Sequence, residues 1–302
     1  MNEKAAETVR SKWNETMRKR IEEKPLIFAW QSETVSKFYS ENYLNGYDVH
    51  DYLKHLLNGK KIKRALDLGG GLGNHSIHLY HLLEVEKFDV LDLSDYSVEK
   101  GNERARAENL NVEFRVANLN TEELPADEYD LVYASGALHH IERLEHLFEQ
   151  INRTLKADGL FFANDYMGPN QMQWTDTQLQ IMNRLLEAFP DQYLRVSSMD
   201  NQIVRQISRI PLEIFEKFDP SEGVRASEIF DVAQEYLNIE KIVPQCLTIN
   251  YELLRGRIHN FDPNSEADNF VLRLLCTFEK ILFENHVIGS DGNVLVGSKK
   301  ES

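Results

Sequence analysis

The stretch from Lys63 to Ser76, KRALDLGGGLGNHS, limits the possible folds more than any other part of the chain. Arg64-Ala65-Leu66-Asp67-Leu68 is a short, mostly apolar run, the pattern of a strand buried on both faces of a parallel sheet. It runs directly into Gly69-Gly70-Gly71-Leu72-Gly73, and Asn74 opens a segment with Ile77, Leu79, Leu82 and Leu83 that reads as a helix. Strand, glycine turn and helix together form the opening unit of a doubly wound α/β fold, which binds ligands at the carboxyl ends of its strands. Glycines let the backbone turn sharply and approach a ligand closely. The helix amino terminus behind them offers free N–H groups and a partial positive charge.

The spacing separates two kinds of ligand. A dinucleotide turn reads G-x-G-x-x-G. Gly69 and Gly71 fill its first two places, but Asn74 stands at the third, so an NAD-dependent oxidoreductase ranks lowest. The pattern is instead D-x-G-x-G-x-G, Asp67 through Gly73, with a carboxylate that would repel phosphate. It resembles the first motif of class I S-adenosylmethionine-dependent methyltransferases. The resemblance implies that Gly69, Gly70, Gly71 and Gly73 cradle the methionine part of the cofactor, S-adenosyl-L-methionine, while Asp67 helps to hold its ammonium group.

Composition narrows the class. Hydrophobic residues make up 42% and charged residues 27%, ordinary values for a globular protein. No apolar run approaches a membrane span, and the charged amino terminus lacks the apolar core of a secretory signal. Cys246 and Cys276 form no metal or redox motif, which points to a reducing, cytoplasmic setting. A net charge of −15 opposes nucleic-acid binding, which is driven by cations.

The remaining strands follow in order. Lys87–Asp92 is the second, ending at an acid that lies about twenty residues beyond the glycine turn, where a carboxylate can accept from both ribose hydroxyls. Asp92, with Leu93 beside it, is therefore assigned to the ribose. The third strand, Val112–Val116, ends at Ala117-Asn118-Leu119. Similar methyltransferases usually place Asp where Asn118 stands; Asn118 retains a carbonyl acceptor for the adenine amine, or its side chain caps its own turn, and Leu119 would offer its N–H to the ring. Tyr129–Tyr133 is the fourth strand, followed by Ala134-Ser135-Gly136-Ala137-Leu138-His139-His140-Ile141. DLVYASGALHHI resembles the small-molecule branch of the family, which implies Ser135 as a further cofactor position. It also lacks the Asn/Asp-Pro-Pro-aromatic motif of enzymes that methylate nucleic-acid amines. Lys156–Gly159 is expected to turn into a fifth strand, Leu160–Tyr166. The resemblance spans residues 60–168.

The expected architecture is α/β: a Rossmann-like, seven-stranded methyltransferase sheet with a helical N-terminal segment and helical cap insertions. Residues 1–60 form the N-terminal segment, in which Ala6, Val9, Trp13 and Met17 share one helical face and Pro25 breaks the helix before Leu26 and Ile27. Its aromatic residues, Phe38, Tyr39, Tyr43 and Tyr47, either pack the segment on the core or serve a lid over the cofactor. Residues 61–168 form the cofactor-binding core and 169–223 a helical cap. Residues 224–302 complete the core with strands at Ile239–Val243 and Asn293–Gly297 and carry a helical insertion at 251–286. Phe270, Leu274, Phe278, Ile281 and Leu282 recur there at helical spacing.

Transfer of a methyl group from a sulfonium needs an aligned acceptor and a dry site, and a base only where the nucleophile must lose a proton. Candidates at the ends of strands four and five are His139, His140, Asp165 and Tyr166. His139 and His140 titrate near neutrality, although a His-His pair also fits packing beside the cofactor. His75, His78 and His81 share a helix with no acid or cysteine among them, so no metal site is expected. The expected activity is methyl transfer to a small-molecule acceptor, with oxygen slightly ahead of nitrogen and a homodimer left open. A non-catalytic cofactor-binding partner protein, or another reaction of the same cofactor, is the alternative.

Overall fold

A computed structural model describes residues 3–22 and 28–301; Pro25, Leu26 and Ile27, at the expected helix break, lie outside the described residues. The first helices are α1 (Glu3–Glu22), α2 (Glu33–Tyr43) and α3 (Val49–Leu57). Asp48 caps α3, its side chain accepting from the backbone N–H groups of His50 and Asp51. The core then alternates β1 (Arg64–Leu68), α4 (Asn74–Leu82), β2 (Lys87–Asp92), α5 (Asp95–Ala107), β3 (Val112–Val116) and β4 (Tyr129–Ser135). Next come α6 (Leu144–Thr154) and β5 (Leu155–Tyr166). Lys156–Gly159, expected as a turn, lies within β5, whose pairing with β4 shifts register between Tyr129 and Leu131. The irregularity absorbs the residues that sequence alone reads as a loop.

The segment expected as a cap contains α7 (Asp176–Ala188) and α8 (Leu212–Phe218). Between these helices, Arg195–Val196 and Gln202–Ile203 pair as a short antiparallel ribbon that the sequence does not announce. The chain closes with α9 (Ile229–Tyr236), β6 (Leu237–Pro244), α10 (Ile249–Leu254), α11 (Glu266–Glu284) and β7 (Gly292–Lys299).

The sheet runs β3-β2-β1-β4-β5-β7-β6, parallel except that β7 is antiparallel to both its neighbours. Order reverses between β1 and β4, so the crevice of a doubly wound sheet opens at their carboxyl ends. Strand alternation divides the core. Leu66 and Leu68 pack on one face with Phe148 and Ile151 of α6 and Ile229 of α9. Ala65 packs on the other with Leu53 of α3, Leu79 of α4 and Val98 of α5. Asp67 shares the Ala65 face, against α4.

A separate apolar cluster joins Tyr39 of α2, Met182 of α7, Phe215 of α8, Leu253 of α10 and Leu275 of α11. Segments far apart in the chain therefore share one second core above the sheet. The N-terminal aromatics contribute to it: the Tyr39 hydroxyl donates to Glu279 at 2.8 Å, and the Tyr43 hydroxyl lies 3.1 Å from the Cys246 Sγ. The expected helix in 251–286 forms as α11, but the residues that announced it lie mainly on its outer face. Phe270 is 57% exposed, Leu274 55% and Ile281 50%, whereas Leu272, Leu275, Cys276 and Glu279 face inward. Both faces carry apolar residues, so periodicity locates the helix without fixing which face turns inward.

Candidate cofactor and acceptor site

The glycine turn is shaped by contact as well as by backbone freedom. A Cβ on Gly70 would stand 2.3 Å from Val90 Cγ1 and 2.9 Å from Asp67 Oδ2, so the turn lies directly on its own strand-end acid. Gly73 has φ +78°, and its Cβ would meet the Phe114 ring at 2.3 Å. A Cβ on Gly69 would come within 2.5 Å of Ala137 Cβ, which places the loop after β4 against the turn after β1. By contrast, Cβ atoms at Gly71 and Gly136 would meet nothing within 4 Å; these two glycines border open space between the two loops.

Asp67 is buried, and the Ser76 hydroxyl donates to its Oδ2 at 2.6 Å. Burial pushes its pKa up to about 7, the Ser76 bond opposing and the nearby Asp92 charge reinforcing the shift. The cofactor-free protein thus holds a costly carboxylate suited to a cationic ligand. A carboxyl raised from its unfolded value makes folding less favourable as pH rises, with the full cost present above about pH 7 and absent at low pH. Asp67→Asn is therefore expected to raise the melting temperature of the cofactor-free protein at about pH 8, and to do so less at about pH 5. The same substitution should weaken binding of a ligand ammonium. Paired thermal melts and titrations check both; an equal melting difference at the two pH values would refute the assignment.

At the end of β2, Asp92 Oδ2 accepts from the Gly71 N–H and Oδ1 from the Ser94 N–H, each at 2.8 Å. Burial raises its pKa, while these two bonds oppose the rise. Leu93 next to it is half-buried. At the end of β3, Asn118 Oδ1 accepts from the Asn120 backbone N–H at 3.1 Å and side-chain amide at 3.2 Å. The carbonyl expected to meet an adenine amine thus closes its own turn, and the amide N–H₂ is the group left for a ring nitrogen. Leu119 is buried beside it, and Ser135 is half-buried at the end of β4. Helix α1 reaches the same region: Asn14 Oδ1 accepts from the Ser94 hydroxyl at 2.7 Å, and Trp13 meets the His140 ring edge-on at 4.9 Å.

The four candidate catalytic residues meet, in unequal roles. Asp165 is buried and turned inward, its Oδ2 accepting from the Ala137 and Leu138 N–H groups at 2.8 Å each. Its Oδ1 accepts from His139 Nδ1 at 2.6 Å and from the Tyr166 N–H at 2.9 Å. Such a carboxylate fixes the loop and the His139 tautomer, leaving Nε2 with the lone pair. Burial opposes a charge on His139, but Asp165 and then Glu222 outweigh it and hold the pKa above its ordinary value. His140 Nδ1 lies 3.2 Å from the Ser221 hydroxyl, and the Tyr166 hydroxyl donates to the Pro169 carbonyl at 2.9 Å. Sequence reasoning missed Ser76, which is near Asp67 but carries no motif of its own, and Glu222, which belongs to an ordinary-looking cap turn.

His75 and His78 gain His50 as a neighbour: His50 Nε2 lies 3.0 Å from His75 Nδ1 and 3.3 Å from the Tyr133 hydroxyl. Burial, with the neighbouring histidines, lowers the pKa of His50 to about 4, so this group is neutral at physiological pH.

The strand order, with its antiparallel seventh strand, and the D-x-G-x-G-x-G turn define a class I S-adenosylmethionine-dependent methyltransferase fold. Residues 65–159, about a third of the chain, match the methyltransferase domain family. Phosphoethanolamine N-methyltransferase 1 of Arabidopsis thaliana is 32% identical over 114 residues, covering 36% of this chain and 22% of that protein. A sterol 24-C-methyltransferase of Aspergillus fumigatus is 27% identical over 118 residues, 38% of this chain and 31% of that protein. The chain thus spans less than a third of the length of either relative. Among solved structures, geranyl diphosphate C-methyltransferase from Streptomyces coelicolor A3(2), in complex with Mg²⁺, geranyl-S-thiolodiphosphate and S-adenosyl-L-homocysteine, superposes with a TM-score of 0.53. That match has 13% identity and covers 98% of both chains. It is a likeness of fold.

Proposed function

We propose that this protein transfers the methyl group of S-adenosylmethionine to a small-molecule acceptor. The observation that carries this reading is the placement of two strand-end carboxylates, the buried Asp67 and the half-buried Asp92, on either side of a glycine turn. Asp67 is suited to an ammonium, which a dinucleotide lacks at this turn, and Asp92 to a ribose diol, which both kinds of cofactor carry. The cofactor supplies an activated methyl on a good leaving group; the chain has to align the acceptor and exclude water. We assign cofactor contacts to Asp67, Gly69, Gly70, Gly71, Gly73, Asp92, Leu93, Asn118, Leu119 and Ser135. The acceptor's polar end is assigned to the His139, His140 and Tyr166 side, with Asp165 as a positioning residue.

The second apolar core, built from 1–60, 169–223 and 251–286, forms the acceptor-side cap in this reading. Relatives named for N- and C-methylation shift the weight from the oxygen expected from sequence towards nitrogen or carbon. A suitable test incubates the protein with S-adenosylmethionine and a panel containing phosphoethanolamine, geranyl diphosphate and a sterol. Formation of S-adenosylhomocysteine with a matching methylated product supports the reading. Absence of S-adenosylmethionine binding by folded protein, or binding of NAD in its place, overturns it.

A further inference from the structure

Beside the glycine turn, three side chains of metal-ligating chemistry converge from separate parts of the chain. His139 and His140 belong to the 3₁₀ turn Leu138–His140 after β4, and Glu222 to the cap turn between α8 and α9. One ligand atom from each lies within 4.8 Å of the others. Because His139 Nδ1 donates to Asp165 at 2.6 Å, its Nε2 bears the lone pair, and that atom lies 3.6 Å from Glu222 Oε1. This separation is too long for a hydrogen bond. It is close to the ~3.4 Å edge between two ligands of a tetrahedral ion with bonds of ~2.0–2.2 Å. An imidazole whose far nitrogen donates to a buried carboxylate is also the arrangement that orients histidine for a metal and raises its basicity. The Ser221 hydroxyl, 3.2 Å from His140 Nδ1, and Asp219 Oδ2, at 4.0 Å, stand on the His140 side of the cluster.

We propose that His139, His140 and Glu222 bind a divalent transition-metal cation such as Zn²⁺, Co²⁺ or Fe²⁺, with a coordination position open to the acceptor. Two imidazoles and one carboxylate favour such ions over Mg²⁺ and Ca²⁺, which prefer all-oxygen sites. Three protein ligands leave room for a further group, as catalytic metal sites require. The cluster adjoins the glycine turn through the Ala137–Gly69 contact, so that position faces the space where an acceptor would meet the cofactor. An anionic or lone-pair-bearing acceptor group would be held there. With Glu222 supplied by the cap and both histidines by the core, the ion would also tie cap to core. The orientation towards the acceptor rests on the methyl-transfer reading; the binding of metal does not.

The test uses the full chain, stripped with chelator and titrated with Co²⁺ alone. One Co²⁺ per chain with intensified visible absorption is expected. Asp165→Asn, which weakens the partner of a ligand and leaves an oxygen acceptor for the loop N–H groups, should weaken binding about 10–100-fold. Glu222→Gln, at a half-buried position that tolerates a near-isostere, should weaken it by at least as much. Failure of the folded wild-type chain to bind Co²⁺ or Zn²⁺ overturns the proposal, as does binding unchanged by Glu222→Gln. S-adenosylmethionine titrated in parallel separates the two readings, since either ligand can bind without the other.

Discussion

Asp92→Ala is expected to weaken S-adenosylmethionine binding about 100-fold while leaving the sheet intact. A hydrogen bond to a charged group is worth ~1.5–3 kcal/mol, and each 1.4 kcal/mol is tenfold in affinity. Two ribose hydroxyls on one carboxylate would exceed that loss if water did not partly replace them. The substitution has a second consequence visible without ligand: Asp92 ties the Gly71 N–H to the Ser94 N–H, so its removal frees the glycine turn from the loop after β2. Asp92→Asn keeps one oxygen acceptor and should fall between wild type and alanine. Calorimetric titration measures all three; equal affinities would remove Asp92 from the site.

The largest effect on stability is expected at Glu279. Its Oε1 accepts from the backbone N–H groups of Thr248, Ile249 and Asn250 at 2.9, 2.6 and 2.9 Å, capping the start of α10. Its Oε2 accepts from the Tyr39 hydroxyl at 2.8 Å and the Asn250 amide at 3.1 Å. One buried side chain therefore joins α11, α10 and α2. Glu279→Ala orphans five donors, and each buried unsatisfied donor costs ~1–3 kcal/mol. Allowing for water entry, a loss of about 4 kcal/mol lowers the melting temperature by roughly 6 °C for a chain of this size. Glu279→Gln retains one acceptor oxygen and should lose less. Scanning calorimetry decides; a drop confined to about 2 °C would show that water replaces the carboxylate without strain.

The fold of the segment around the glycine turn was legible because its constraints are local. Arg64 to Asn74 carries strand, turn and helix start in consecutive residues, and Asp92 stands at a fixed remove from them. Where the sequence fell short, the determining contact was distant. Nothing around Glu222 marks it as a neighbour of His139, and only the docking of the cap brings them together. The type of Asn118 fitted both an adenine contact and a turn cap, and only its neighbour Asn120 shows which donors its carbonyl accepts from. Glu279 did leave a readable sign: with Leu272, Leu275 and Cys276 it continues an inward-facing helical stripe, where a lone charge implies buried donors nearby. The more conspicuous apolar residues on the opposite side of α11 obscured it.

The placement of β7 between β5 and β6 has a consequence for how the molecule assembles. Until residues 292–299 arrive, β5 has one bare flank and β6 has no partner in the sheet. Both strands then expose unpaired backbone groups of the kind that recruit strands from other chains. The nascent protein thus passes through an interval in which strands β1–β5 can be paired while the edge remains adhesive. Chaperone demand should concentrate in that interval, and garbling residues 292–299 alone should yield aggregates rather than a folded protein with a local defect.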